Sequence, residues 1–401
     1  MLFKFDLEVS ESFIDLISKE KNEYKDITQY RRAALKKYKS LPESKYIYGK
    51  GISGSVKPID LTLAYEKPHK FLLPIVNEGV ILDTFDSLST TFKKYIDQFF
   101  TEELQNQKNK DILLHLAVWD QSIFLFIPKE KILHDPIIID IINLNQKNFT
   151  NLLIISEENS EATIVINNKN NNSNKYSSLF VKLFAYRNSK INLINMSKFE
   201  NFNYHNCDIG IIQNKNSIVN VINIGLNIEV LKINIINILR EPNSEANIFS
   251  FNNSIKSQKY DLDFTIVQEA EATKSNMSAI NIMEDNSKLI FKGLIKIEET
   301  AVNSIGYQRE ENLLLGENAE VFPIPKLEIK NNDVKCYHSA STSNIDLDKI
   351  FYLMSRGLSE DQARSLIIQS YYIKFIDILP NNQIKKIIKP IILSKYNEIN
   401  V

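Results

Sequence analysis

Residues 331–365 read NNDVKCYHSASTSNIDLDKIFYLMSRGLSEDQARS and hold Cys336, one of two cysteines in the chain, with His338 two positions on. In a strand, residues two apart face the same way. Val334, Cys336 and His338 therefore share one face, and Lys335 and Tyr337 the other. A thiolate beside an imidazole suits iron–sulfur species, zinc or copper(I) better than hard cations. Two ligands do not fill a tetrahedral site, and His69, His115, His134 and His205 stand at no ligand-like spacing from this pair. A metal site complete within the chain is not expected. A nucleophilic Cys–His pair is the other chemistry open to these residues, but no oxyanion loop accompanies it. Without further context Cys-x-His is a core-packing pattern, since cysteine is among the most buried residue types. Cys207, in YHNCDIG with His205 two before it, repeats the spacing and is assigned to the core.

The elements that must position these residues fall into three zones. Residues 1–108 read as mostly helical: Ile27, Tyr30, Ala34 and Tyr38 lie on one helix face, as do Phe92, Tyr95, Ile96 and Phe99. YRRAALKKYKSLP should stop at Pro42, with its basic residues on a solvated surface. Residues 109–340 change period. SKINLIN, SIVNVINIG, EANIFSF and SKLIFKGLIKI alternate apolar and polar or run as short β-branched stretches, which predicts strands. Asn-Ser pairs at 159, 188, 216 and 243 recur at intervals of 29, 28 and 27 residues. Their side chains bond readily to nearby backbone, which suits them to turns. A strand-bearing repeat of that length predicts a β-solenoid whose coils close their core by stacking. The polar run NNKNNNSNKY at 167–176 reads as a disordered surface loop.

Residues 341–401 return to helix. NIDLDKIFYLMSR ends at Gly357, a C-terminal cap residue. Ser359 and Gln362 then have capping-box spacing. Ala363, Ile367, Tyr371, Phe375 and Ile378 line the next helix, Pro380 ends it, and Pro390 should kink or split a further one. Such a domain would cap the solenoid's open end or dock another protein.

Composition narrows the function classes. With 48 basic and 49 acidic residues in 401 the net charge is −1, which leaves no nucleic-acid footprint and no polybasic membrane surface. Two cysteines make no disulfide framework and fit a reducing compartment. No apolar run spans a bilayer, and MLFKFDLEVSES lacks the basic-then-apolar pattern of a secretory signal. A cytoplasmic protein is expected. No GxxxxGK[ST] loop is present, so nucleotide hydrolysis would belong to a partner.

The longer stretch NLLLGENAEVFPIPKLEIKNNDVKCYHSASTSNIDLDKIFYLMSRGLSEDQARSLII resembles the SufB/SufD family of iron–sulfur cluster assembly proteins, whose members carry PxLEI…DVxCxHGAT, then FYLxSRGI and an Ala-rich helix. The matching residues are Pro325, Leu327, Glu328, Ile329, Asp333, Val334, Cys336, His338, Ala340, Phe351, Tyr352, Leu353, Ser355, Arg356, Gly357 and Ala363. SIGYQREENLLLG and YRRAALKKYKSLP show weaker likeness. The resemblance implies a mainly β fold, a right-handed parallel β-helix between N-terminal and C-terminal helical domains. It implies pairing of SufB-like and SufD-like chains through their β-helices, and one SufC-type ABC ATPase held by each C-terminal helical region. Phe351, Tyr352, Arg356 and Gly357 would then be ATPase-binding residues. Cys336 and His338 would supply half of an interface site for a transient iron–sulfur cluster, making the chain a non-catalytic scaffold. SufB-type chains carry a glutamate after the motif histidine, where this chain has Ser339, and a scaffold cysteine where it has Glu310. The pattern is closer to SufD, although Ser339 also replaces the SufD-type glycine; a minimal-system scaffold pairing with itself is the alternative. The residues single out no flavin site, and flavin involvement stays open.

Two other classes compete. A polysaccharide-cleaving β-helix would need paired carboxylates on a groove; Asp261 and Asp263 in YDLDF are expected to be solvent-facing strand positions instead. A structural homodimer without a metal role would be indifferent to loss of Cys336 and His338.

Overall fold

The computed structural model describes residues 9–41 except 22 and 24, residues 79–143 except 89, and residues 147–170 and 176–399. Pro42, His69 and positions 171–175 of the asparagine run lie outside the described residues.

Helices α1 (Glu11–Lys21), α2 (Lys25–Ser40), α3 (Lys93–Asn106) and α4 (Lys110–Val118) precede a chain of strands. A short β1 (Ile81–Asp83) pairs antiparallel with β2 (Gln121–Ile127). All later pairing is parallel and falls into two ladders. The first runs through β2, β4 (Lys147–Ser156), β6 (Tyr176–Ala185), the second halves of β7 (Lys190–Gln213) and β8 (Ile218–Leu239), β10 (Lys259–Gln268), β12 (Lys288–Ile297) and β14 (Glu320–Ile329). The second runs through β3 (Ile137–Asn143), β5 (Glu161–Asn170), the first halves of β7 and β8, β9 (Glu245–Ser254), β11 (Lys274–Met283), β13 (Ser304–Leu314) and β15 (Val334–Asn344). The chain alternates between ladders, so each circuit adds one coil: a parallel β-solenoid.

The recurring Asn-Ser pairs are the corners. Asn159, Asn188, Asn216 and Asn243 all have φ between 57° and 58°, a left-handed conformation that asparagine tolerates better than most residues. Each following serine hydroxyl donates to the carbonyl three residues back, at 2.5–2.8 Å. Stacked corners also bond to each other, Asn188 Nδ2 donating to Asn159 Oδ1 at 2.8 Å and Asn216 Nδ2 to Asn188 Oδ1 at 2.9 Å. The corner continues at Ala272 (φ 55°) and Asn303 (φ 58°), where the Asn-Ser signature is lost or isolated.

Inward side chains such as Ile123, Leu152, Leu193, Val221, Ile235, Phe264 and Phe291 form one buried core. Cys207 lies within it at 0% exposure, as expected. Buried asparagines form a second stack along the coil, Asn252 to Asn281 at 2.9 Å and Asn281 to Asn312 at 2.8 Å, so each amide meets the next coil's amide rather than water.

The helices cover outer faces. Phe99, Phe100, Leu114 and Trp119 from the N-terminal helices pack on Phe124, Leu153, Phe180 and Tyr204 of the first ladder. Arg31, expected on a solvated surface, is fully buried, paired with Glu23 at 2.6 Å and stacked on Trp119. Three C-terminal helices follow: α5 (Leu347–Ser355), α6 (Glu360–Ile378) and α7 (Asn382–Ile399). The last two lie on the outer face of the second ladder, with Tyr372, Phe375, Leu379, Ile384 and Ile388 against Ile222, Ile224, Phe249, Phe251 and Ile280. They do not cap the end of the solenoid, because this outer face is itself apolar and demands cover first. The buried stripe of α6, Ala363, Ile368, Tyr372, Phe375 and Ile376, is rotated from the one expected. The Ser359–Gln362 capping box is present, and α7 runs through Pro390 without splitting.

Candidate functional site at the open end of the solenoid

Strands β14 and β15 form the last coil, each with a single partner strand among the described residues. A terminal parallel strand leaves a row of N–H and C=O groups unpaired. Residues that would be interior one coil earlier are partly or fully exposed here.

Cys336 and His338 sit on β15, facing inward in register with Gly306 and Gln308. Cys336 is half-buried against Ile295, Ile297, Ala301, Leu327 and Val334, whereas His338 is exposed. A Cβ built on Gly306 would lie 3.0 Å from Cys336 Sγ and 3.1 Å from Ile295 Cγ2, so the glycine makes room for the thiol. Burial pushes the Cys336 thiol above its ordinary range, against a smaller downward effect of the Tyr337 backbone. Left alone the sulfur is a thiol; a cation must arrive to make it a good ligand. On the outer side Tyr337 stacks on Tyr307, ring centroids 5.3 Å apart, and both are half-exposed.

Just after this coil, Asp346 caps α5 by accepting from the N–H groups of Asp348 and Lys349 at 3.0 and 3.3 Å. Gly357, at φ +95°, ends it with its N–H on Met354 O at 2.9 Å. Between these caps only Ile350 is buried. Leu347, Phe351, Tyr352 and Met354 are 69, 74, 56 and 43% exposed, and Leu347, Phe351 and Met354 follow helical i, i+4, i+7 spacing. The Arg356 guanidinium stands 5.2 Å from the Tyr352 ring. Of the four residues expected to bind a partner, Phe351 and Tyr352 lie on this small helix, and Arg356 and Gly357 form its C-terminal stop.

The other candidates do not converge. His115 is buried against Ser178 at 2.7 Å and Asn151 at 3.1 Å, and His205 is buried beside Phe199. Asp261, expected to face solvent, is buried and paired with Lys292 at 2.9 Å; Asp263 lies 3.6 Å from the same lysine. These carboxylates are tied to a cation, not poised across a groove.

A model of the SUF system FeS cluster assembly SufBD core domain matches residues 141–371. The chain belongs to the SufBD family. Among similar SufBD proteins, an iron-sulfur cluster assembly SufBD family protein of Staphylococcus saprophyticus is 23% identical over 349 residues, which cover 85% of this chain and 73% of the relative. The iron-sulfur cluster assembly protein SufD of Escherichia coli is 32% identical over 157 residues, 39% of this chain and 37% of the relative. The matched region of this SufBD chain includes most of the solenoid, the last coil and α5. Among the described residues, no helix is long and apolar enough to cross a membrane.

Two polar residues of β13, Gln308 and Glu310, are not among the candidate site residues that the motifs single out. Both point inward and are 3% and 1% exposed. The signal was present in SIGYQREENLL: alternate positions Gly306, Gln308, Glu310 and Asn312 are not apolar, whereas Ile305, Tyr307 and Leu313 lie on the other face, so the pattern alone would turn the wrong side toward the core.

Proposed function

We propose that this chain is a SufD-like scaffold subunit that completes its open coil against a SufB-like solenoid, holds a SufC-type ATPase through α5, and does no catalysis of its own. The observation that carries the reading is the last coil: an unpaired strand edge bears an inward thiol and imidazole where a second chain can reach them. An iron–sulfur cluster is cargo here. Cys336 and His338 would supply a sulfur and a nitrogen donor, a soft pair suited to it, and the partner chain the remainder. Closing the end also removes the edge that would otherwise invite non-specific pairing. The exposed Phe351 and Tyr352, with Arg356 at the helix end, offer the aromatic and guanidinium anchors that dominate protein interfaces. The complex would work in the cytoplasm, where thiols stay reduced.

Pairing with itself is the alternative, favoured by Ser339, which matches neither the SufB-type glutamate nor the SufD-type glycine. Co-purification of the full chain with SufB-type and SufC-type proteins from the same source separates the readings. The SufD-like role predicts one copy of each solenoid protein in the complex. In that complex, Cys336→Ala with His338→Ala should abolish cluster assembly while folding and both partnerships survive. Phe351→Asp should release the ATPase and leave solenoid pairing intact. A folded chain with intact α5 that never binds the ATPase, or cluster assembly unchanged by the double substitution, contradicts the proposal.

A further inference from the structure

One coil beneath Cys336 and His338, the solenoid interior holds polar atoms with no partner. Glu310 accepts from Asn312 Nδ2 at 2.9 Å through one carboxylate oxygen. Its other oxygen, Oε2, is buried without a hydrogen bond, as are both amide atoms of Gln308. An unpaired buried carboxylate costs several kcal/mol in general, and such groups call for a specific explanation.

Of the other buried acids, Asp208 accepts from the amides of Asn206 and Asn234 at 2.6 and 3.2 Å, and three more are met by cations. Glu23 meets Arg31 and Glu103 meets Lys182, both at 2.6 Å, and Asp261 meets Lys292 at 2.9 Å. Nothing comparable acts on Glu310: burial raises its carboxyl to about 7, opposed only by the Asn312 amide. The surroundings are also shaped around these side chains. A Cβ on Gly293 would fall 2.2 Å from Gln308 Nε2, so a glycine in the facing strand leaves space for the amide. Gln308 lies in register under His338, and Glu310 under Ala340. Paired strands are about 4.8 Å apart and alternate residues about 6.7 Å, so the imidazole, the amide and the carboxylate lie within side-chain reach of one another. Glu310 is roofed in the last strand by a methyl group, next to an exposed imidazole.

We propose that Glu310, Gln308 and His338 form a station for a divalent transition-metal cation, with a carboxylate oxygen, an amide oxygen and an imidazole nitrogen as donors. This set suits ferrous iron, cobalt(II) or zinc. Among the described residues no three His, Cys, Asp or Glu side chains are arranged to hold a metal; this station draws its third donor from glutamine, and side-chain rotation completes it. The cation supplies the charge that Glu310 lacks. The inference deepens the scaffold role and rests on it only for the identity of the natural cation, ferrous iron waiting one coil below the sulfur ligand.

The test is anaerobic titration of the full chain with cobalt(II), read by its ligand-field absorption. Wild type should bind one cobalt per chain. Glu310→Gln should weaken binding at least about tenfold, Glu310→Asp should restore part of it, and Cys336→Ala should leave it nearly unchanged. Without metal, Glu310→Gln should raise Tm by about 2–4 °C, because a neutral amide is cheaper to bury. Glu310→Gln binding as tightly as wild type overturns the station, as does its melting below wild type, which would make Glu310 a structural residue. Equal loss in Glu310→Gln and Cys336→Ala also overturns it, placing the cation at Cys336; that outcome leaves the scaffold role standing. Cluster assembly by the complex carrying Cys336→Ala alone, a residue the station does not use, tests that role separately.

Discussion

Two interior columns show how the middle of the solenoid differs from its end. One column reads Leu193, Val221, Ile248, Met277, then Gln308 and His338; its neighbour reads Ile191, Val219, Ala246, Ser275, then Gly306 and Cys336. Backbone pairing is the same throughout, in register and without interruption from β9 to β15. Only the side chains change, from close-packed aliphatics to polar groups and a thiol. The middle coils thus hold the fold, and the last two are less closely packed. Sites that break local packing rules in this way are where function is expected.

The contrast breaks most sharply under truncation. Phe264→Ala, in the middle, removes a fully buried ring packed edge-on against Phe291 and should cost about 3–5 kcal/mol in chemical denaturation. Leu327→Ala, in the partly exposed last coil, should cost less than about 1 kcal/mol in the isolated chain. Comparable costs would mean that the end coil carries as much of the fold as the middle.

Acid should act next on buried histidines, one on α4 and one in the coils. Burial holds the His115 and His205 imidazoles down to about 3, from an ordinary 6.5. Between those values the unfolded chain binds protons that the folded chain refuses, so stability is full above about pH 6.5 and is lost as pH falls toward 3. Each histidine should withdraw about 2 kcal/mol near pH 5. His205→Gln should flatten its share of the acid limb in a stability-against-pH series; an unchanged slope would show that its burial does not govern acid sensitivity.

Smaller effects sharpen the comparison. Ala272 occupies a corner with φ 55°, where an alanine Cβ costs about 1–2 kcal/mol. Ala272→Asn, matching the earlier corners, should stabilise the chain by about 1 kcal/mol, seen as a higher denaturation midpoint. Tyr337→Ala, at the exposed stacked pair, should change the isolated chain by less than about 0.5 kcal/mol yet weaken pairing with a second solenoid.

Much of this architecture was legible in the residues, for identifiable reasons. The Asn-Ser corners were visible because a left-handed residue followed by a hydroxyl that bonds back is a local requirement, written at each turn. The Ser359–Gln362 cap and the Gly357 stop are local in the same way. What tertiary contacts decide was not legible. Arg31 reads as one of several surface cations until Glu23 and Trp119 close over it. The buried stripe of α6 is set by Phe251, which packs on Tyr372 and Phe375 at 5.1 and 5.2 Å, not by the helix's own pattern. Asp261 looks like any strand acid until Lys292 from the next coil meets it. The Cys336–His338 pair was found by residue type, but Gln308 and Glu310 acquire meaning only through the register that stacks them beneath it.

The central claim is that the coil carrying Cys336 and His338 is left open for a second solenoid chain. Amide hydrogen exchange across Val334–Asn344, measured on the full chain alone and then with the SufB-type protein, tests it most directly. The account predicts fast exchange alone at the outward-facing amides of that strand and marked protection in the complex, with the middle coils protected in both. Exchange in that strand that is identical in the two states, in a complex shown to have formed, would contradict it.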